Sequence, residues 1–323
     1  PGVIPLYVLT QPRKKMHYNI GLGYNSDFGI QTLAGLTFRY LNLEGDNMSV
    51  NTLWSMKNSK VNFSFNMPGK DPVSDNKQVA FVFIHEDLDT IESDQVTVFF
   101  EKTHRVSDWY RILGVHFLLE KSSSYKNTTE SGAIDLDDKN WYRTFYPMFT
   151  IWRSWRFSRT RGLQKLILYS SVIGGAKPVL SSTSFLQFDF RSNFNWRATQ
   201  DAYFVLRGEY GLTATNNFSK FSPSLQFIAG GMGTIRGYDY KSIGPGKYMR
   251  IISAEVQHRV YKDWYAAVFV DMGNVGNSNR TALLKSFGVG TVYKSPVGDI
   301  ELSVAHPWKL SQGSWHIQVG IVP

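Results

Sequence analysis

The sequence alternates between apolar and polar side chains, with a period of two residues, along most of its length. In residues 61–67 the apolar side chains are Val, Phe, Phe and Met, and the side chains between them are Asn, Ser and Asn. Successive side chains of a β-strand point to opposite faces, so this pattern predicts strands with one apolar and one polar face. The same alternation occurs in residues 30–40, 48–56 and 315–321. It indicates an all-β fold.

The alternating segments follow one another to the end of the chain, with connections such as "GDN", "PGKDPVSDN" and "SNFNW" that are typical of turns. A tilted transmembrane strand takes about 10 residues, so a chain of this length has room for about sixteen antiparallel strands with their connections. A transmembrane helix is not expected, because no run of about 20 apolar residues is present.

The polar faces and the aromatic residues favour a transmembrane β-barrel over a soluble β-sandwich. A sandwich would also alternate, because its apolar face forms the core. Here the polar face consists of Asn, Ser, Gly and Gln over many strands, as a water-filled barrel requires. Tryptophan and tyrosine, whose amphipathic rings concentrate at membrane interfaces, stand near the ends of predicted strands. They are Trp109, Tyr110, Trp141, Tyr142, Trp152, Trp155, Trp264, Tyr265 and Trp308. The alternation is weakest in residues 162–175.

Charge and cysteine content narrow the possible partners. The formal net charge is +9, which suits anionic lipid, an acidic surface or nucleic acid. The basic residues are dispersed, and the longest run is "RKK" from Arg13, so no nucleic-acid partner is expected. The chain has no cysteine, which excludes disulfide scaffolds and cysteine-ligated metals.

Three stretches near the C-terminal end combine charge with a glycine-rich loop. If the second and third of them are consecutive strands with apolar side chains toward lipid, Glu255 and Asp271 both point into the barrel. Two such carboxylates repel each other, and the planar fork of Arg236 is suited to neutralise both. On spacing alone, a solvated Arg236 on an exposed loop is an equally good interpretation. The stretches are "GTIRGYDY" (residues 233–240), "ISAEVQH" (252–258) and "FVDMGN" (269–274).

These stretches carry a resemblance to a known family. "GTIRGYDYKSI" resembles the inward-folded sixth-loop motif, Val/Ile-Arg-Gly-Phe/Tyr, of outer-membrane assembly and transport barrels, and "FVDMG" resembles their Phe-x-Asp-x-Gly strand motif. That superfamily includes BamA, TamA, the chloroplast import channels and the two-partner-secretion transporters. "KKMHYNIGLGYNSDFG", "FIAGGMGTIRGYDYKSI", "YAAVFVDMGN" and "VGTVYKSPVGDIELSVAHP" are similar, in the same order, to the TamA subfamily. The resemblance covers residues 14–323, is strongest after Phe221, and matches no pattern between Trp109 and Ala198.

The resemblance implies a sixteen-stranded barrel whose loop between strands 11 and 12 folds inward. Arg236 of that loop would be held by Glu255 and Asp271 of the barrel wall. Residues 1–13 would be the tail of a periplasmic POTRA domain, with its last strand and linker, and residues 14–323 would form the barrel. The implied loop-latch residues are Arg236, Gly237, Tyr238, Glu255, Phe269, Asp271 and Gly273.

The resemblance also implies a protein assembly or translocation factor in the outer membrane of a Gram-negative bacterium. Its clients would be outer-membrane proteins such as autotransporters. Its other partners would be outer-membrane lipid and lipopolysaccharide, and a TamB-like periplasm-spanning protein contacted through POTRA domains that are mostly absent from this sequence. A two-partner-secretion-type polypeptide transporter and a passive porin remain alternatives.

No enzyme activity, metal or cofactor is expected. No serine, histidine and acid are grouped as a hydrolase at the barrel rim would require. His85, Glu86 and Asp87 are adjacent in sequence, but a solvated loop is favoured over a metal site there.

The barrel closes when its first strand pairs with its last, and both strands contain residues that weaken pairing. Gly21 and Gly23 lie on the predicted inner face of the first strand; Gly320 lies on that of the last, which ends in Pro323. Glycine weakens a strand and proline cannot donate a ladder bond, so this seam is predicted to be the weakest in the barrel. An opened seam would expose edges that capture a client strand. A tight barrel taper is the alternative explanation of the glycines. The predicted lateral-gate residues are Ile20, Gly21, Gly23, Ile317, Val319 and Gly320.

Overall fold

The computed structural model describes residues 14–88, 91–124, 139–159, 162–295, 298–308 and 315–322. Residues 1–13, predicted as the tail of a POTRA domain, and Pro323, predicted to weaken the seam, lie outside these ranges. Across the described part of the chain, no helix is long and apolar enough to cross a membrane.

In the described residues sixteen strands form one antiparallel sheet, which confirms the predicted fold class and strand number. Two further short strands, β12 and β13, pair only with each other. In chain order the strands are β1 (Met16–Asn25), β2 (Gly29–Phe38), β3 (Asn47–Ser55), β4 (Asn58–Pro68), β5 (Asp75–Leu88), β6 (Ile91–Val106), β7 (Trp109–Ser124), β8 (Asn140–Arg159), β9 (Gly162–Gly175), β10 (Phe185–Arg197), β11 (Ala202–Thr215), β12 (Phe227–Ala229), β13 (Ile243–Gly246), β14 (Tyr248–Tyr261), β15 (Trp264–Gly276), β16 (Leu284–Ser295), β17 (Gly298–Pro307) and β18 (His316–Val322).

Each strand of the large sheet pairs with its neighbour in sequence, except where β11 pairs with β14. The intervening residues 216–247 contain β12 and β13. β1 lies at one edge of the sheet and β18 at the other, and the two edges approach each other, so the sheet curls into a nearly closed barrel.

The two faces of the sheet differ in exposure as the alternation requires. On β14, Ile252 is 45% exposed and Glu255 is 7% exposed. On β15, Val268 is 55% exposed and Asp271 is fully buried. We assign the exposed apolar face to the membrane, because only apolar side chains are favourable against lipid, and the other face to the barrel interior, called the lumen below.

The polar face is held together by hydrogen bonds between side chains of neighbouring strands. Ser49 and Ser64 are register partners on β3 and β4, and their hydroxyl oxygens lie 2.7 Å apart. Two residues further along, Asn66 Nδ2 donates to Asn47 Oδ1 at 2.9 Å. These contacts satisfy polar groups that would otherwise lose water when the sheet closes.

One local prediction is wrong, and one ambiguous stretch is explained. "SNFNW", expected as a turn, lies inside β10, because Asn193 and Asn195 are lumen-facing residues of a strand. Residues 162–175 form β9, where the alternation is weak because both faces are apolar. Ile173 of that strand is buried inside the barrel against other apolar side chains, while Val172 faces outward.

The assignment of faces predicts how single cysteines react, since the parent chain has none. In liposomes, Asn51→Cys and Asn62→Cys should react with a membrane-impermeant thiol reagent that enters the lumen. Val50→Cys and Phe63→Cys should be protected by lipid. Val50 precedes Asn51 and Phe63 follows Asn62, so both lie on the opposite face. The measurement is the labelled fraction of each variant. Equal labelling of the two pairs would contradict the barrel orientation of β3 and β4.

Candidate functional site

Residues 216–247, called the connecting segment below, join the eleventh strand of the sheet to the twelfth. The segment contains two 3-10 turns, Phe218–Lys220 and Pro223–Leu225, followed by the hairpin of β12 and β13. Its buried side chains contact the lumen-facing side of the barrel wall at two main places, and Arg236 marks the first of them.

Arg236 is fully buried, and it donates hydrogen bonds to both of the carboxylates that the sequence assigned to it. Its backbone N–H donates to Asp271 Oδ2 at 3.0 Å. Its side chain donates two hydrogen bonds to the same carboxylate, from Nε to Oδ2 at 2.8 Å and from Nη2 to Oδ1 at 3.0 Å. Nη1 donates to Glu255 Oε2 at 2.5 Å. The interpretation of Arg236 as a solvated side chain is therefore wrong.

A third carboxylate, Glu301 of β17, was not predicted from the sequence. Arg236 Nη1 donates to Glu301 Oε1 at 2.9 Å, and Glu301 is 5% exposed. The signal that could have identified it is the alternation of "DIELSV", in which Ile300 and Leu302 face outward and leave Glu301 on the inner face. Alternation alone does not say which inward-facing carboxylate meets the arginine.

Three carboxylates around one guanidinium leave excess negative charge, and a second cation shares it. Arg207 Nη2 of β11 donates to Ser253 Oγ at 3.2 Å, and the same hydroxyl accepts from Arg236 Nη2 at 3.3 Å. The neutral amide of Gln257 donates to Glu255 Oε1 at 2.6 Å. Buried charges are tolerated when they are paired and hydrogen-bonded, so this cluster holds the segment in one position on the wall.

Of the two aromatic residues of the predicted latch, Phe269 covers the charges and Tyr238 packs beside them on an apolar cluster. The guanidinium carbon of Arg236 lies 3.4 Å from the ring centroid of Phe269, whose face attracts a cation. Phe269 is 3% exposed, so its ring also separates the ion pair from water. Tyr238 packs against the buried cluster that contains Ile235, and its hydroxyl donates to the carbonyl of Lys285 at 3.4 Å.

The two glycines of the predicted latch are required by close approach. Gly237 has a φ of 87°, a left-handed conformation that favours glycine, and a Cβ there would lie 3.2 Å from the backbone nitrogen of His306. A Cβ on Gly273 would lie 2.5 Å from the carbonyl oxygen of Arg250 and 3.0 Å from Ile235 Cδ1. Any larger residue at Gly273 would push the connecting segment away from the wall.

The second anchor of the connecting segment is Glu120 of β7, which was also not predicted. Glu120 is fully buried. Its carboxylate accepts from Ser222 Oγ at 2.6 Å, from Ser224 Oγ at 2.8 Å and from the Ser224 N–H at 3.2 Å. Ser93 Oγ of β6 donates to it at 2.9 Å. These donors are neutral, so hydrogen bonds rather than an ion pair stabilise the charge.

An apolar cluster lies beside the Glu120 anchor. Phe221 of the connecting segment is fully buried against the ring of Phe185, with the centroids 4.8 Å apart. Burying a phenylalanine side chain contributes about 1.5–3 kcal/mol. The first half of the segment is thus held on β7–β10 and the second half on β14–β17. The cluster consists of Leu118, Tyr146, Ile173, Phe185 and Phe221.

The predicted seam is nearly unpaired. Within the described residues β1 and β18 form no ladder, and the backbone bonds between the two sides involve Ser26, in the turn after β1, and Val319. The Ser26 N–H donates to the Val319 carbonyl at 2.9 Å, and the Val319 N–H donates to Ser26 Oγ at 3.3 Å. Ile20 and Leu22 are 84% and 80% exposed, so β1 presents an open edge.

The predicted seam glycines lie where the sequence places them, on the lumen face. Gly21 and Gly23 are register partners of Leu33 and Gln31 on β2, not of β18. Gly320 pairs with Glu301 on β17. Ile317 and Val319 pair with the outward-facing Val304 and Leu302.

The connecting segment also touches both sides of the seam. A Cβ on Gly320 of β18 would lie 2.7 Å from Met232 Sδ, and Asp239 Oδ1 lies 3.3 Å from His316 Nδ1. On the other side, the ring of Tyr240 meets that of Phe28, in the turn after β1, with centroids 4.7 Å apart.

Further contacts tie the segment to the first strands. Lys241 Nζ donates to Glu86 Oε2 on β5 at 2.8 Å. Burial raises the pKa of the Asp27 carboxyl, in the turn after β1, while the Met232 N–H that it accepts from opposes the rise. The segment therefore bridges the open edges.

His85, Glu86 and Asp87 lie on β5, so the solvated loop expected there is wrong. His85 Nδ1 lies 2.7 Å from Asp94 Oδ1 of β6, its register partner. Among the described residues, no group of three or more His, Cys, Asp or Glu side chains has the arrangement of a metal site.

Comparisons with known proteins agree with this architecture. A family model described as the Omp85 superfamily domain matches residues 42–321. The chloroplastic outer envelope protein 80 of Arabidopsis thaliana is 28% identical over 124 residues, which is 35% of this chain and 17% of that protein. The matched stretch is thus a small part of the curated relative.

Two solved structures share the fold. BamA from Haemophilus ducreyi, in a form lacking POTRA domains 1–3, has a TM-score of 0.78 and 17% identity, covering 95% of this chain and 69% of that one. CdiB from Acinetobacter baumannii has a TM-score of 0.65 and 13% identity, covering 96% and 60%. At these identities the likeness is one of fold.

Removal of the Arg236 side chain should release the second half of the connecting segment. Arg236→Ala leaves buried carboxylates without their cation, and breaking a buried ion pair costs about 3–5 kcal/mol. Arg236→Lys should rescue poorly, because one ammonium cannot replace the two-point contact with Asp271. The measurements are the temperature at which the folded barrel loses its fast electrophoretic mobility, and protease cleavage within residues 216–247. Lys220→Ala, at an exposed position of the same segment, is the control. If Arg236→Ala resists protease as that control does, the anchor is not at Arg236.

Removal of the Glu120 carboxylate should release the first half of the segment independently. Glu120→Ala leaves the buried Ser222 hydroxyl and the Ser224 N–H without an acceptor, at a cost of about 1–3 kcal/mol per group. Cleavage should increase near residues 216–226. Glu101→Ala is the matched control, because Glu101 faces the lumen from β6 and contacts His116 instead. Unchanged cleavage in Glu120→Ala would show that the apolar cluster alone holds this half.

Proposed function

Because the chain belongs to the Omp85 superfamily and lies in the outer membrane of a Gram-negative cell, we propose that it handles client proteins. In this proposal it inserts or secretes client β-barrel proteins through the seam between β1 and β18. Members of this family handle outer-membrane or secreted client proteins. We propose that the protein is a TamA-like member of the family and that its clients include autotransporters. The four stretches that resemble the TamA subfamily, two of which contain Arg236 and Asp271, support this assignment.

The observation that carries the proposal is the open edge of β1. Ten residues, Met16–Asn25, are paired on one side with β2 and have no ladder on the other side in the described chain. An unpaired edge offers a row of N–H and C=O groups to any strand that can add to it. A client strand can therefore add by β-augmentation, which takes its affinity from main-chain bonds and is tolerant of sequence. A machine with many clients needs this tolerance.

The connecting segment supports a way to control the edge. Arg236 anchors it to β14, β15 and β17, close to the β18 side of the seam. Its contacts with the β1 side include the Tyr240–Phe28 ring pair, the bond from the Met232 N–H to the Asp27 carboxyl and the Lys241–Glu86 ion pair. Arg236 is fully buried among three carboxylates, whereas Lys241 is partly exposed, so the β1 side can separate while the Arg236 cluster stays intact.

The remaining partners are proposed from the family resemblance. Residues 1–13 are proposed to end a POTRA domain, and a TamB-like protein and lipopolysaccharide are proposed to act with the full protein. Sequencing upstream of the gene segment tests this: three POTRA repeats support a TamA-like protein, five a BamA-like protein and two a secretion transporter.

Two other functions make different demands on the seam. A two-partner-secretion-type transporter would pass an unfolded chain through the lumen, and the likeness to CdiB is compatible with that use of the fold. A passive porin would conduct ions and small solutes through the part of the lumen that the connecting segment does not occupy. Neither function requires β1 and β18 to separate, whereas insertion of a client barrel does.

A disulfide across the seam should block insertion. The structure brings Asn25 and Ser26 close to Gly320 and Val319, so Asn25→Cys/Gly320→Cys and Ser26→Cys/Val319→Cys are the pairs to try. A disulfide requires Cα atoms about 4.4–6.8 Å apart, and the parent has no other cysteine. The stapled protein in liposomes should not insert an autotransporter barrel added from urea, and reductant should restore insertion. Protease protection of the client gives the readout.

The control staple is Asn51→Cys/Asn62→Cys, which joins register partners on β3 and β4 away from the seam. It should leave insertion unchanged. Full insertion by a verified seam-stapled barrel would rule out the lateral route. Translocation of an unfolded chain with the seam closed would support the secretion transporter, and unchanged ion conduction alone would support the porin.

A further inference from the structure

Three cations on the lipid-facing side of the barrel have no role in the proposed function. They are Lys77 of β5, Lys102 of β6 and Arg111 of β7, and all three side chains are exposed. By strand alternation, they lie on the same face as the exposed Val98 and Phe100. Charged side chains on the lipid face of a barrel are destabilising toward the bilayer midplane and tolerated near the headgroups.

The cations stand next to one another. Lys77 and Lys102 are direct register partners, and like charges placed opposite each other on a sheet destabilise it. Arg111 belongs to the next strand, where it pairs with His104, two residues from Lys102. Within the described chain none of the three makes an ion pair.

Neighbouring basic side chains on the same face have acidic partners within the protein itself. His104 is hydrogen-bonded to Asp75. Arg153 of β8 donates to Asp108 at 2.8 Å. The three unpaired cations are thus a distinct group, and no carboxylate of the described chain forms an ion pair with the two opposed lysines.

The patch lies at the edge of the apolar band. On β6 the outward-facing charges Asp94 and Lys102 are eight residues apart, with Val96, Val98 and Phe100 between them. Eight residues span about 27 Å along a strand, which is about 20 Å along the membrane normal at a tilt of about 40°. The apolar band of such barrels is about 25 Å tall, so the two charges lie close to its opposite edges, and the long side chain of Lys102 reaches the headgroups.

Two tryptophans support this level. Trp109 and Trp155 meet edge to face with ring centroids 5.3 Å apart, and the Arg153 guanidinium carbon lies 4.4 Å from the Trp155 centroid. Tryptophan concentrates at the membrane–water interface. Both rings lie near the patch, because Trp109 begins the strand that carries Arg111 two residues later.

The patch belongs to the end of the barrel with short turns. The turns 69–74 and 107–108 adjoin it, while the connecting segment emerges from the other end. Short turns of outer-membrane barrels face the periplasm. The facing leaflet is therefore the periplasmic one, which is built of glycerophospholipid.

Among the described residues, the charged side chains on the outer face at this end lie mainly on β5–β8. At the same end, the outward-facing side chains of other described strands are mainly apolar or aromatic, with His258 of β14 as an exception. The apolar and aromatic ones are Phe38, Met48, Trp196, Phe204, Trp264, Tyr293 and Ile300.

We propose that Lys77, Lys102 and Arg111 bind the headgroup of an anionic glycerophospholipid in the periplasmic leaflet. The lipid phosphate lies between the two lysines and removes their repulsion. The Arg111 guanidinium donates to two phosphate oxygens, which a planar fork does well. The acyl chains lie along Phe100 and the neighbouring outward-facing apolar side chains. This inference depends on the barrel alone and not on the proposed function.

The test is lipid retention by the folded full chain, measured by native mass spectrometry with phosphatidylglycerol and with phosphatidylcholine. The parent should retain phosphatidylglycerol preferentially. In Lys77→Gln/Lys102→Gln/Arg111→Gln the apparent affinity for phosphatidylglycerol should fall about a hundredfold, since each basic side chain at a membrane surface contributes about fivefold. Binding of phosphatidylcholine should not change.

The matched control is Lys121→Gln/Lys177→Gln/Lys262→Gln, which removes the same charge from scattered positions outside the patch. It should bind as the parent does. Equal losses in the two triple variants would show a general charge effect and overturn the site, as would unchanged binding in the patch variant. Displacement of the lipid by millimolar inorganic phosphate would show a phosphate site instead. If the patch variant does not fold, the three single glutamine variants provide the same comparison.

Discussion

The burial of the Arg236 guanidinium is the constraint on which the inside of this barrel depends. Arginine keeps its proton at any pH a protein meets, so it cannot enter a dry site as a neutral group. It requires carboxylates in a fixed geometry, and Asp271 supplies this with two side-chain contacts and one backbone contact. Glu255 on β14 and Glu301 on β17 add negative charge from the two strands that flank β15 and β16. The connecting segment therefore has one position on the wall, and its contacts with the seam follow from that position.

Stability is distributed unevenly around the barrel. The Arg236 cluster and the Glu120 anchor bury charges with several hydrogen bonds each, while the seam is joined at Ser26 and Val319 and otherwise lacks a ladder in the described chain. Regions with few buried contacts open first and at low cost. An arrangement of this kind allows one edge to move while the lumen contents stay in place. The proposed lipid patch on β5–β7 lies away from that edge, on strands of up to sixteen residues.

Much of the site was accessible from the sequence, and the omissions share one cause. Alternation placed Glu255 and Asp271 inside the barrel, and the electrostatics of two facing carboxylates pointed to Arg236. Glu301 and Glu120 also alternate inward, but each meets the connecting segment only because the sheet curls. Glu120 further lies in the stretch where no family pattern applied. "SNFNW" was misassigned because its asparagines are as typical of a turn as of a wet strand face.

By itself, the sequence determined the local properties of the strongly alternating strands: their period, their apolar face and the direction of their side chains, including those of Arg236's partners on β14 and β15. It also determined that the two terminal strands contain glycines on their inner faces. Only the tertiary structure decided which inward-facing groups meet across the lumen, that Glu301 joins the cluster, and that β1 lacks a ladder with β18. The reason is that a side chain's direction depends on two backbone angles, whereas contacts across a barrel depend on the register, tilt and curvature of all sixteen strands together.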